Sequence, residues 1–218
     1  MSPVALDEPI RSARLEKAME RISARDFDKA EVELNAGLQE AEKSKDPVME
    51  ALFYSTLGVL YKLKKDYKGA WRFYDKAEKI LPNDPALKLI SARLLVDVFG
   101  QYDTAIKKAE KVLKLAQYDH PFSHQAHVTL GLAFLKKGQK KKAVDCLKKS
   151  MKDDFEGMIS AGNIDLKLLE ALLQKKLGEE ECRTYLEKAF QFAQKTGEPK
   201  PMEQLALLLK HFPPAPTP

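Results

Sequence analysis

Apolar residues recur along this chain at helical spacing, in blocks separated by short polar breaks. The clearest stretch runs from Asp46 to Pro82, DPVMEALFYSTLGVLYKLKKDYKGAWRFYDKAEKILP. Its pattern predicts two amphipathic helices joined by the polar break KKD. Asp46-Pro47 and Asp84-Pro85 read as helix starts, because an acidic N-cap precedes a proline whose missing N–H costs nothing in the first helical turn. Pro82 reads as a stop for the second helix. The pattern predicts an all-α chain.

Within that stretch Tyr54, Leu57, Gly58, Tyr61, Ala70, Tyr74, Ala77 and Pro82 follow one another at fixed spacings. Small residues at Gly58 and Ala70 suit the closest approach of two antiparallel helices, and large ones at Tyr54, Tyr61 and Tyr74 fill the space beside it. A second copy begins at His124, with Leu130, Gly131, Phe134, Ala143 and Leu147 in the same relative places and Gly138 in the turn. These spacings resemble the tetratricopeptide pattern W-x2-L-G-x2-Y, A-x3-F-x2-A, P, with Tyr at two of the large-aromatic slots and His127 where Trp or Tyr is usual. The resemblance implies a right-handed α-solenoid of antiparallel helix-turn-helix repeats.

The small residue opening each second helix recurs as Ala30, Ala70, Ala105 and Ala143, a repeat period with variable linkers. The expected division is an N-terminal tail (1–9), a repeat domain (10–198), a capping helix (199–212) and a proline-rich tail (213–218). Units span about 10–45, 46–83, 84–119 and 120–155, with a degenerate fifth at 160–196. The first unit carries Ala18, Ala30, Leu34 and Gly37; the third carries Ala92, Leu95, Ala105 and Ala109 and one extra residue in its turn, Phe99 to Asp103. The longer intervals are expected from extended second helices in units one and three; with His120-Pro121 opening the fourth unit, they are similar to kinesin-light-chain repeats. Met202, Leu205, Ala206, Leu208, Leu209 and Phe212 give the last helix an apolar face, as a repeat stack needs at its end.

The resemblance further implies that first helices line a concave groove that holds a peptide or helix. By projection its inward side carries Ser12, Leu15, Met19 and Ile22, then Leu52, Ser55, Val59 and Lys62, then Ala86, Leu89, Arg93 and Val96, then Gln125, Val128, Leu132 and Leu135. Eleven of these sixteen are apolar, which argues against a carboxylate clamp of Lys, Asn and Arg. It favours an amphipathic helix or extended apolar segment, with Lys62 and Arg93 free to orient an acidic group on it. The alternative is that these side chains only pack neighbouring first helices, or are covered by the chain's own terminal helix, including exchange between two copies in a homodimer.

Composition narrows the function further. No apolar run approaches the roughly 18 residues that span a bilayer, and Met1 to Pro9 does not read as a leader, so the expected location is cytoplasmic with no membrane partner. Cys146 and Cys182 are isolated and read as small buried hydrophobes, with no metal or redox motif. His120, His124 and His127 lie close together without a carboxylate or cysteine to complete a metal site; His127 reads as a packing residue and His124 as a surface or cap residue. No Gly-rich phosphate loop or nucleophile elbow occurs, and neither enzymatic activity nor a cofactor is expected.

The 37 basic and 32 acidic residues leave a net charge of +5. Lys136, Lys137, Lys140, Lys141, Lys142, Lys148, Lys149 and Lys152 cluster near one turn and suit an acidic protein surface better than nucleic acid, since no aromatic residues are interleaved for base stacking. Trp71, the single tryptophan, reads as packing between units. The expected role is therefore an adaptor or scaffold that binds another protein, with a lysine-rich anion-binding surface and self-assembly through the terminal helix as alternatives.

Overall fold

The computed structural model describes residues 12–116, 119–210 and 212. The tails expected at 1–9 and 213–218 lie outside them, as do the opening residues of the first repeat. Among the described residues there are eleven α-helices and no strand: α1 (Ala13–Ser23), α2 (Phe27–Ser44), α3 (Pro47–Leu63), α4 (Tyr67–Ile80), α5 (Pro85–Leu94), α6 (Tyr102–Leu115), α7 (His120–Lys136), α8 (Lys140–Ser150), α9 (Lys167–Gln174), α10 (Glu179–Thr196) and α11 (Pro199–Leu209). The all-α class and the helix-turn-helix pairing follow the sequence pattern. The chain divides into two compact units between Leu87 and Lys88.

Aspartates start four of these helices. The Asp46 carboxylate accepts from the N–H groups of Val48 and Met49, Asp66 from Gly69, Asp84 from Leu87 and Asp119 from Phe122, at 2.9 to 3.1 Å. Each satisfies amide groups that the first helical turn leaves unpaired. Between the helices of each of the first four pairs one residue turns left-handed: Arg25 (φ 58°), Lys65 (φ 64°), Gly100 (φ 64°) and Gly138 (φ 75°). The extra residue of the third turn is absorbed by a π-helical turn, Leu95–Phe99, closed by a hydrogen bond from the Gln101 N–H to the Leu95 carbonyl at 3.1 Å.

In the first unit α1 packs on α2, α2 on α3, and α3 most extensively on α4. The core joins Ala18, Ile22, Ala30, Leu34, Ala51, Phe53, Leu57, Leu60 and Ala77. Glycine permits close helix contacts: a Cβ on Gly37 would lie 2.2 Å from the ring of Phe53, and one on Gly58 2.3 Å from the ring of buried Tyr74.

In the second unit α7 packs on α6 and α8 and also meets α9, while α10 meets α8, α9 and α11. Leu168 fills the notch over Gly131, where a Cβ would come within 2.2 Å of it. The linker between α8 and α9 is held by Phe155, which is buried edge-on against the rings of Tyr185 and His124 at 5.2 and 5.8 Å. Cys146 and Cys182 are buried free thiols, and burial pushes them up to about 11 and about 12.

Candidate ligand-binding faces

In the first unit, α1 and α3 carry the projected inward positions. Ile22 is buried in the core and Leu15 packs against it half-buried. Leu52 and Val59 are half-buried, and Met19 is 47 % exposed. Ser55 turns its hydroxyl back to the Leu52 carbonyl at 2.9 Å, leaving the neighbouring surface apolar. Lys62 is exposed and makes no ion pair among the described residues. Leu63, 49 % exposed, extends the apolar surface at the end of α3.

Charged pairs of this unit lie elsewhere. Arg14 reaches Glu33 and Glu40 on α2, at 3.0 and 2.7 Å, and Lys17 reaches Glu33 at 2.6 Å. Lys64 and the Tyr61 hydroxyl share the Glu31 carboxylate at 2.7 and 2.6 Å. Tyr54 and Tyr61 flank Phe73, Leu57, Ala70, Tyr74 and Ala77 are buried, and Pro82 is exposed two residues past the end of α4. Burial pushes the Tyr74 phenol up to about 12.

The second unit treats its corresponding positions differently. Leu89, Val96, Val128, Leu132 and Leu135 are all buried, the last two at 8 and 7 % exposure. Leu130, Gly131 and Ala143 are buried with them, and Phe134 lies half-buried under Lys142, whose ammonium is 5.2 Å from the ring.

Arg93, expected to be free for a ligand, is already held. Its guanidinium meets Asp165 at 3.0 Å and Asp97 at 3.4 Å. Gln125 donates to the Asn163 carbonyl at 3.4 Å, so the chain's own 163–165 segment lies against two of the projected ligand-binding side chains. A glutamate at Leu132 would enter the core and would report on folding, not on binding.

His124 corrects a second expectation. It is 3 % exposed, neither a surface nor a cap residue. Nδ1 lies 2.8 Å from the Ser150 carbonyl and Nε2 2.9 Å from the Asp165 N–H, which requires a neutral ring with the proton on Nδ1. Burial lowers its pKa, in keeping with that state. The Asp165 carbonyl accepts from the Tyr185 hydroxyl at 3.3 Å and its carboxylate accepts from the Lys167 N–H at 3.0 Å. Asp165 thus ties α5, α7, α9 and α10 together. The repeat pattern of the sequence assigned Asp165 no role.

A further tie, which the sequence did not indicate, closes the C-terminal end. The Glu198 carboxylate accepts from the Ser160 hydroxyl at 2.5 Å, the Ala161 N–H at 2.7 Å and the Gly162 N–H at 3.4 Å. These bonds, that of Ser160 foremost, hold its pKa down to about 2. No group of three or more His, Cys, Asp or Glu side chains is placed to hold a metal ion, and no helix is long and apolar enough to cross a membrane, among the described residues.

Glycines under aromatic or leucine side chains and alanines opening second helices define the repeat geometrically, and known structures share the overall fold. PilW, a type IV pilus biogenesis factor, superposes with a TM-score of 0.61 over 93 % of both chains at 19 % identity. The chain has the tetratricopeptide-repeat fold. YrrB, described as a TPR protein with an unusual peptide-binding site, matches with a TM-score of 0.52 over 91 % of both chains at 18 % identity. A Podospora anserina kinesin light chain with nearly identical TPR-like repeats matches with a TM-score of 0.62 over 85 % of this chain and 95 % of its own, at 16 % identity. In sequence, 117 residues are 30 % identical to the transcriptional activator NprA of Geobacillus stearothermophilus, covering 50 % of this chain and 29 % of that protein. The chain therefore spans under a third of that relative's length. No model of a known protein family matches the sequence.

Proposed function

We propose that this tetratricopeptide chain is a non-catalytic adaptor that binds a segment of another protein on the α1–α3 face of its first unit. The observation carrying the reading is the contrast between the two units. Leu52, Val59 and Met19 keep apolar surface in water, with Lys62 on the same helix as Val59 and in no ion pair among the described residues, whereas Leu89, Val96, Val128, Leu132 and Leu135 are buried and Arg93 is occupied. Apolar side chains left half-exposed in a row, with one charge beside them, suit the apolar side of an amphipathic helix or an extended segment, and the charge sets its direction. The fold it shares with YrrB, whose description includes a peptide-binding site, supports binding as the class of function.

A photo-reactive amino acid placed at Val59, and as a control at Val32 on α2, tests this in cells. The expected result is a discrete protein adduct from position 59 and none from position 32. Equal labelling at both, or none at 59, contradicts it.

A further inference from the structure

The positive charge of the chain is concentrated in one place. From Tyr102 to Ser150, the stretch holding α6, α7 and α8, there are 11 lysines, no arginine and four acids, a net +7 where the whole chain carries +5. The remainder of the chain is net negative.

The helices sort these lysines into two groups. One group is engaged: Lys142 lies over Phe134, Lys148 pairs with Glu181 at 3.0 Å, and Lys149 pairs with Asp145 at 3.5 Å. The other group is exposed and makes no ion pair among the described residues. Lys107, Lys111 and Lys114 belong to it, and their i, i+4, i+7 spacing puts them on one face of α6.

Asp103 sits one turn earlier on that face, and Lys137 from the α7–α8 turn pairs with it. This contact neutralises the carboxylate that would interrupt the row and pins the turn against the start of α6. Lys136, Lys140 and Lys141, also exposed and without an ion pair among the described residues, flank the pinned turn, and Lys140 and Lys141 border a surface groove with Asp145 and Glu181, which are themselves paired with Lys149 and Lys148. On α6 itself, Glu110 is the one acid left beside these lysines. From Asp103 to Lys114 the helical rise gives about 16 Å, which with the turn is the reach of roughly six to eight extended residues.

The chemistry of the row selects among anionic partners. Without arginine it has no planar fork for bidentate phosphate recognition. Among the described residues it offers no free aromatic ring for base stacking, since Tyr102 and Phe134 are half-buried and Phe134 lies under Lys142. Leu115, 37 % exposed at the end of α6, provides one apolar contact beside Lys114. We propose that the row Lys107, Lys111, Lys114, Lys136, Lys140, Lys141 docks an acidic segment of another protein, separately from the α1–α3 face.

The test uses the purified full chain and a labelled eight-residue peptide of six glutamates and two leucines, with duplex DNA, single-stranded RNA and anionic phosphatidylserine vesicles as competitors. At about 50 mM salt the peptide should bind, and the K107E/K111E/K140E variant should lose at least about tenfold in affinity with an unchanged circular dichroism spectrum. The milder K111Q/K141Q variant should lose part of it and serves if the triple variant does not fold. Unchanged peptide affinity in the folded variants overturns the proposal. So does tighter binding of DNA, RNA or vesicles than of the peptide at the same salt.

Discussion

The imidazole of His124 accepts a hydrogen bond from the backbone N–H of Asp165 at 2.9 Å, forty-one residues away in sequence. Its other nitrogen donates to Ser150, so one buried ring joins α7, the end of α8 and the segment leading into α9. Replacing it with phenylalanine leaves both the Ser150 carbonyl and the Asp165 N–H without their partner. His124→Phe should therefore destabilise the chain by about 2–4 kcal/mol. Chemical denaturation followed by circular dichroism checks the loss, and faster amide exchange at Asp165 locates it.

His127, one helical turn on, gives the opposite outcome. It stands at a slot where the tetratricopeptide pattern places an aromatic residue, and its Nδ1 is buried with no hydrogen-bond partner. Burial, with the nearby Lys149, pushes its pKa down to about 4. A folded pKa below the unfolded value of about 6.5 means that its contribution is retained above that value and lost as pH falls toward 4. His127→Phe should raise stability by about 1–2 kcal/mol at pH 7 and by more at pH 5. Thermal melts at the two pH values decide this; an advantage that shrinks at pH 5 contradicts the assignment.

Gly58 and Tyr74 form one of the tight helix crossings in the first unit. With only 2.3 Å between a Cβ at 58 and the Tyr74 ring, Gly58→Ala should cost about 1–3 kcal/mol despite alanine's better helix propensity. Combining it with Tyr74→Leu should recover part of that cost, because the clash is specific to the ring. A double-mutant cycle measures the coupling, and strict additivity would show that the two positions do not press on one another.

Lys65 holds φ 64° in the turn between α3 and α4, where the third and fourth pairs use glycine. Lys65→Gly should stabilise the first unit by up to about 1 kcal/mol, since relief of the left-handed penalty exceeds the added entropy of the unfolded chain. A higher urea midpoint with an unchanged slope is the expected reading.

Most of the fold was legible because the repeat constrains residue size at short, fixed spacings: Gly58, Ala70 and Tyr74 state a helix crossing within seventeen residues of sequence. The binding faces were less legible, because exposure depends on what else covers a helix. Arg93 and Val59 occupy similar places in the projected pattern, yet Arg93 meets Asp165, seventy-two residues later, and Val59 remains half-exposed. His124 was misread for the same reason, since its partners come from Ser150 and Asp165 and leave no trace in local spacing. The π-helical turn was foreshadowed by one surplus residue near Gly100, without any sign of how it would be absorbed.

The central claim, that a partner is held on the α1–α3 face, is tested most directly by recovery from native extract. Three forms of the full chain serve as bait: the unaltered protein, Met19→Glu/Val59→Glu, and the control Val32→Glu on α2. A protein retained by the first and third and lost with the second, at equal helicity of all three, is the predicted result. Equal recovery by all three forms contradicts it.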